Sequence, residues 1–119
     1  MYDDAILIVE DDNTLSQILE SALARAGYSV HVAGSCSAGL ALALDQIPKV
    51  LILDINLPDG NGWNLLESIR RAHPSQQLRV LMISSERVKR SQLRENGADR
   101  FLAKPFDMVR FMETVEELI

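Results

Sequence analysis

Val50-Leu51-Ile52-Leu53-Asp54 is the stretch on which the fold turns. Four aliphatic side chains follow one another with no polar residue between them, and a carboxylate closes the run. A strand covered on one face alternates apolar and polar residues. An unbroken run this short suits a strand buried on both faces, as in a parallel sheet clad by helices. The same pattern recurs on either side, at Ala5–Val9, Val80–Ile83 and Phe101–Ala103, with Tyr28–Val32 a weaker fifth.

Between these runs the apolar period changes to three and four. Leu15, Ile18, Leu19, Ala22, Leu23 and Ala26 predict a helix, with Asn13 to cap its start and Gly27 its end. Ser35 is placed to open a second helix through Leu40, Leu42 and Leu44. A third is predicted over 63–72, with Leu65, Leu66 and Ile69 inward and Pro74 beyond its end. A fourth, over 87–96, is short and polar, with Gly97 as its stop signal. The last begins after Lys104-Pro105, with Pro105 in its first turn and Phe106, Val109, Phe111, Met112, Val115 and Leu118 as its core face. Five strands alternating with five helices predict an α/β fold, an open five-stranded parallel sheet with helices on both faces. With no repeat or linker in the sequence, residues 1–119 read as one domain.

Bulk properties exclude several classes. The net charge of -5 sets the chain against the phosphate backbone, so direct nucleic-acid binding is not expected. Apolar runs are far shorter than the roughly 18 residues that span a membrane, and residues 1–4 carry no basic leader. Cys36 is the only cysteine, which rules out an internal disulfide and fits a reducing cytoplasm. Arg87, Lys89, Arg90, Arg94 and Arg100 form a basic run that reads first as a solvated face and second as a docking or dimerisation surface.

The polar residues that close the strands carry the chemistry. The first strand runs into Glu10-Asp11-Asp12, the third into Asp54, the fourth into Ser84-Ser85 and the fifth into Lys104. In a parallel sheet those ends share one edge, where ligands of open α/β sheets bind. Clustered carboxylates repel unless a cation sits among them. Oxygen donors without Cys or His favour a hard ion, Mg²⁺ with Mn²⁺ the alternative. A lysine and a hydroxyl beside such an ion suit the oxygens of a transferring phosphoryl group, and a carboxylate is a credible nucleophile.

These segments, with Leu57-Pro58-Asp59-Gly60-Asn61-Gly62 and Gly97-Ala98-Asp99-Arg100 between them, resemble the receiver domains of two-component response regulators over essentially the whole chain. The resemblance implies a flavodoxin-like (βα)5 fold with strand order 2-1-3-4-5. It implies Asp54 as phosphoacceptor, Asp11 as direct metal ligand, Glu10 as a ligand through water, and the Asn56 carbonyl as a further ligand. It makes Ser84 the switch hydroxyl, Lys104 the phosphate-pairing lysine before an often cis proline, and Phe101 the switch aromatic, here without a phenolic hydroxyl. The partners implied are a histidine kinase or a histidine phosphotransfer protein, and the catalysis is limited to self-directed phosphorylation and hydrolysis. Both a stand-alone regulator and a module of a longer chain agree with it. A weak homodimer is permitted through the basic run and Glu113, Glu116 and Glu117 on the last helix.

Two features depart from the family. The spacing from Ser84 to Gly97 is short, and Ser85 stands where a small apolar residue is usual. They keep open a module that binds partners without phosphorylation. A phosphatase of the aspartyl-nucleophile type would need an acid two positions after Asp54, where Asn56 stands. Asp12 reads as a helix cap, 59–62 as a turn and nothing more, and His31, His73 and Cys36 as structural.

Overall fold

The computed structural model describes residues 5–74 and 77–119; the expectation for residues 1–4 lies outside them. The elements are β1 (Ala5–Val9), α1 (Asn13–Arg25), β2 (Ser29–Ala33), α2 (Cys36–Asp45), β3 (Val50–Asp54), the two-residue strands β4 (Asn56–Leu57) and β5 (Gly60–Asn61), α3 (Gly62–Ala72), β6 (Arg79–Ser84), α4 (Arg90–Glu95), β7 (Arg100–Ala103) and α5 (Met108–Leu118). The main sheet has the order β2-β1-β3-β6-β7, and all its pairings are parallel. Counting its five strands alone, this is the expected 2-1-3-4-5. β4 and β5 form a separate antiparallel hairpin in the loop after β3.

The unbroken aliphatic runs do what their composition requires. Every residue of β1 and β3 is buried, and so is β6 after Arg79. Successive side chains point to opposite faces. Leu7, Val9, Leu51, Leu53, Val80 and Met82 therefore meet Ala43 of α2 and Leu65, Leu66 and Ile69 of α3. Ile6, Ile8, Ile52, Leu81 and Ile83 meet Leu19 and Leu23 of α1 and Phe111, Val115 and Leu118 of α5. β2 and β7 lie at the edges and are more exposed.

Local chemistry corrects several expectations. Of the two caps read from the sequence, Asp12 and not Asn13 caps α1, its carboxylate accepting from Leu15 N–H at 3.1 Å. Gly27 follows with φ +97, the left-handed geometry that suits glycine after a helix. Ser35 caps α2 as expected, but the buried face is Gly39 and Ala43, while Leu42 and Leu44 point outward. The reason is space: a Cβ on Gly39 would come within 2.9 Å of Val9, so only small residues fit against β1. α5 starts later than expected, at Met108 behind the Asp107 cap. Pro105, in a cis peptide with Lys104, and Phe106 precede it. That start turns Val109 outward, 69% exposed. Phe106 still stacks on Phe111, with ring centroids 5.6 Å apart. α4 has six residues, none of them buried. Among the described residues no helix is long and apolar enough to cross a membrane.

Candidate functional site

The site lies where the connection from β1 leaves for β2 on one side and the chain returns as β3 on the other. Glu10 directly follows β1, held in line by its N–H to Ala33 carbonyl at 3.0 Å. Asp54 is the last residue of β3 and Ser84 the last of β6. Lys104 follows β7 and donates its backbone N–H to Ser84 carbonyl at 2.8 Å. Glu10 is 1% exposed, Asp54 5% and Ser84 0%, whereas Asp11 faces solvent.

Lys104 Nζ donates to Asp54 Oδ2 at 2.7 Å and also to Glu10 Oε1. The other oxygen of Asp54 accepts from Asn56 N–H at 3.1 Å, and Glu10 Oε2 accepts from Asp12 N–H at 3.3 Å. One carboxylate oxygen from each of Glu10, Asp11 and Asp54 lies within 4.8 Å of the others, close enough for one ion. The donor set is all oxygen, carries formal negative charge and has one exposed member through which a hydrated ion can enter, so it fits a hard divalent cation.

Electrostatics follows from burial and stoichiometry. Two carboxylates share one ammonium. Burial, with Asp54 beside it, pushes the Glu10 carboxyl up to about 7, against the opposing pull of Lys104. Lys104 is also partly buried, which works against its charge, but its bonds to Asp54 and Glu10 outweigh this and its pKa is raised. A divalent cation would correct the imbalance from the exposed Asp11 side.

The sequence expectations Glu10, Asp11, Asp54 and Lys104 are thus brought together. Ser84 sits one strand over, its hydroxyl accepting from Glu86 N–H at 2.9 Å. Phe101 is half-buried on β7, opposite Met82. Asn56 touches Asp54 through its N–H, and its side-chain amide donates to Glu86 Oε1 at 3.0 Å, tying the loop after β3 to the loop after β6. Glu86 was not anticipated, because nothing in sequence ties an exposed loop acid to a residue 30 positions earlier. Asp59 does more than its turn composition announces. Its two oxygens accept from Cys36 N–H at 2.7 Å and Ser37 N–H at 3.0 Å, so its part is larger than a turn.

A family model described as the response regulator receiver domain matches residues 6–116. The chain belongs to the response-regulator receiver family. This receiver is 33% identical over 114 residues to the transcriptional regulatory protein CusR of Escherichia coli, covering 96% of this chain and 50% of that protein. It is 32% identical to the DNA-binding dual master transcriptional regulator RpaA of Synechocystis, covering 96% of this chain and 48% of that one. The receiver thus spans about half the length of these relatives. Among solved structures, the non-phosphorylated HemR receiver domain from Leptospira biflexa superposes with a TM-score of 0.88 at 32% identity, over 98% of this chain and 94% of that one. Receivers of transcriptional regulators are signalling domains, and that is the coarse function of this chain.

Proposed function

We propose that this receiver, as one domain over residues 1–119, is a phosphoacceptor switch. Asp54 takes a phosphoryl group from the phosphohistidine of a histidine kinase or a histidine phosphotransfer protein. The observation that carries the reading is Asp54 itself: a buried carboxylate at the sheet edge, with Lys104 on one oxygen and Glu10 and Asp11 beside it. In the transfer, an Asp54 oxygen attacks the phosphorus. An aspartyl O–P bond forms as the donor's N–P bond breaks, and the imidazole nitrogen leaves with the bonding pair and then takes a proton.

Asp11, Asp54 and the Asn56 carbonyl, with Glu10 through water, would hold Mg²⁺ or Mn²⁺. The ion when bound offsets the negative charge of the phosphoryl oxygens. Lys104 is shared by two carboxylates before transfer and is the side-chain cation at hand for a phosphoryl oxygen afterwards. Ser84 leaves Glu86 N–H to meet the new acyl phosphate, and Phe101 moves inward with it. The surface formed by α4, β7 and α5 changes as a two-state element. That surface serves an output partner or output domain and a weak homodimer. The setting is the cytoplasm, and the only catalysis is self-directed phosphorylation and hydrolysis.

The test is intact mass after incubation with acetyl phosphate, with and without Mg²⁺, on the wild type and Asp54→Asn. A Mg²⁺-dependent gain of one phosphoryl group, absent in the variant, is expected. Equal phosphorylation of Asp54→Asn would remove the assignment.

The six-residue α4 with no buried side chain favours one second reading, a module that binds partners through its surface without phosphorylation. Partner affinity that is equal for wild type, Asp54→Asn and Asp54→Glu would select it.

A further inference from the structure

We infer that Asp59 is a positioning residue for the phosphoacceptor site, acting through the β4–β5 hairpin. This rests on the phosphoacceptor reading and names a control point within the same site.

The chain between Asp54 and α3 is a short closed loop. Its first residues turn back at once, because Asn56 N–H bonds to Asp54 Oδ1 at 3.1 Å. Asn56 pairs with Asn61, and Leu57 with Gly60, leaving Pro58 and Asp59 as the tip. The base is closed by Gly62 N–H on Ile55 carbonyl at 2.7 Å. A hairpin with two residues per strand has little stability of its own. Its position has to come from outside: the Asn56 amide holds Glu86 at the base of the hairpin, and two further attachments secure the rest. Leu57 packs against the core on the α2–α3 face, and Asp59 reaches α2.

The Asp59 attachment is unusually complete. The first N–H groups of a helix have no partners within it. In α2, Ser35 Oγ takes Ala38 N–H at 3.2 Å, while the Asp59 carboxylate takes Cys36 N–H and Ser37 N–H. Two charge-assisted bonds at the positive end of a helix hold a carboxylate firmly in one orientation. Those bonds hold the Asp59 pKa below the usual aspartate value. The tip of the hairpin is thereby fixed to a helix that is itself packed on β1 through Gly39 and Ala43. Asp59 touches neither Asp54 nor the acidic cluster. It fixes the register of Asn56, whose N–H orients the acceptor carboxylate and whose carbonyl is the proposed ligand.

The competing explanation is that Asp59 is only a helix cap. Ser35 separates the two, because Ser35→Ala removes a cap bond from the same helix without releasing the loop. The experiment compares the full chain as wild type, Asp59→Ala, Ser35→Ala and Asp11→Ala. It measures amide hydrogen exchange at 56–63 without metal, and Mg²⁺ affinity by calorimetry. Faster exchange at Asn56 and Gly62 in Asp59→Ala but not in Ser35→Ala is expected. With it, Mg²⁺ affinity should fall about tenfold in Asp59→Ala alone, the scale seen when residues supporting a ligand are lost. Asp59→Asn keeps one acceptor oxygen and should lie between. Equal exchange in wild type and Asp59→Ala overturns the inference, as does an exchange increase with unchanged Mg²⁺ affinity. Wild type that binds no more Mg²⁺ than Asp11→Ala would instead count against the phosphoacceptor reading, and the exchange data would still decide whether Asp59 holds the loop.

Discussion

At the scale of single residues, Glu10 carries an unusual load. It is buried with Asp54, and Lys104 balances only one of the two carboxylates. Its pKa of about 7 in the folded protein lies above the ordinary 4.5, so between those values the folded state keeps a proton that the unfolded chain has released. Stability from this group is therefore greatest below the unfolded value and is lost as pH rises through the folded one. Glu10→Gln should remove that slope. In metal-free urea titrations the variant should match wild type near pH 4 and exceed it by about 3 kcal/mol near pH 8. A difference that does not change with pH would refute the assignment. Gly62 is constrained in a different way. A Cβ there would overlap the carbonyl oxygen of Asp54 and come within 3.0 Å of Ile55 Cα, and both are backbone atoms that cannot swing aside. Gly62→Ala should cost about 2–3 kcal/mol in chemical denaturation and slow phosphorylation of Asp54 along with it. Glu10 could be read as an acid at a strand end. The contact of Gly62 with its own acceptor could not, because glycine before a helix has many ordinary causes.

At the scale of elements, legibility followed burial. β1, β3 and β6 are covered on both faces, so their composition alone announced them, and the acids, hydroxyl and lysine that end the strands fell at one edge as topology requires. The helices α2 and α5 were seen, but each was rotated in part. In α2 the leucines alone do not reveal the buried face, because close approach to Val9 demands glycine and alanine there. Pro105 was assumed to start α5, whereas Asp107 does, and two or three residues of offset turn a helix face away. α4 was legible as short and polar, and its attachment was not. Arg70 of α3 donates to Gly97 carbonyl and to Leu78 carbonyl at 3.4 Å, pinning the end of a helix that has no fully buried residue. Elements with few buried contacts open with little free energy. Amides of Arg90–Glu95 should exchange far faster than those of β6. Arg70→Met should accelerate exchange further at residues 93–98 while lowering global stability by only about 1 kcal/mol. Unchanged α4 protection in Arg70→Met would show that Val88 and Leu93, which pack against the core, hold the segment by themselves.

At the scale of the whole molecule, charge is unevenly spread. The net charge is -5, yet Arg87, Lys89, Arg90 and Arg94 are exposed together around α4, while Glu113, Glu116 and Glu117 are exposed on α5. Arg100 of β7 already pairs with Glu117 within the chain at 3.2 Å, so the acidic helix lies beside the edge strand that follows α4. A two-fold axis through them would set the basic segment of one copy against the acidic helix of another, the self-complementary arrangement that closes a dimer. Exposed ion pairs contribute little each and are screened by salt, so such a dimer is weak before activation. Phosphorylation of Asp54 would replace a carboxylate by a dianionic acyl phosphate, about one more negative charge at the sheet edge, and through Ser84 and Glu86 would act on the loop that leads to α4. Because α4 has no fully buried residue and only Leu93 packs against the core, little packing resists its movement into a better-matched interface. Sedimentation velocity should find mainly monomer in the unmodified protein, a larger dimer fraction after phosphorylation, and less dimer as salt is raised. Reversing charge at Lys89 and Arg90 should abolish the increase and leave phosphorylation of Asp54 intact. A monomer at high concentration in both states would end the dimer proposal and leave the α4–β7–α5 surface to a different partner.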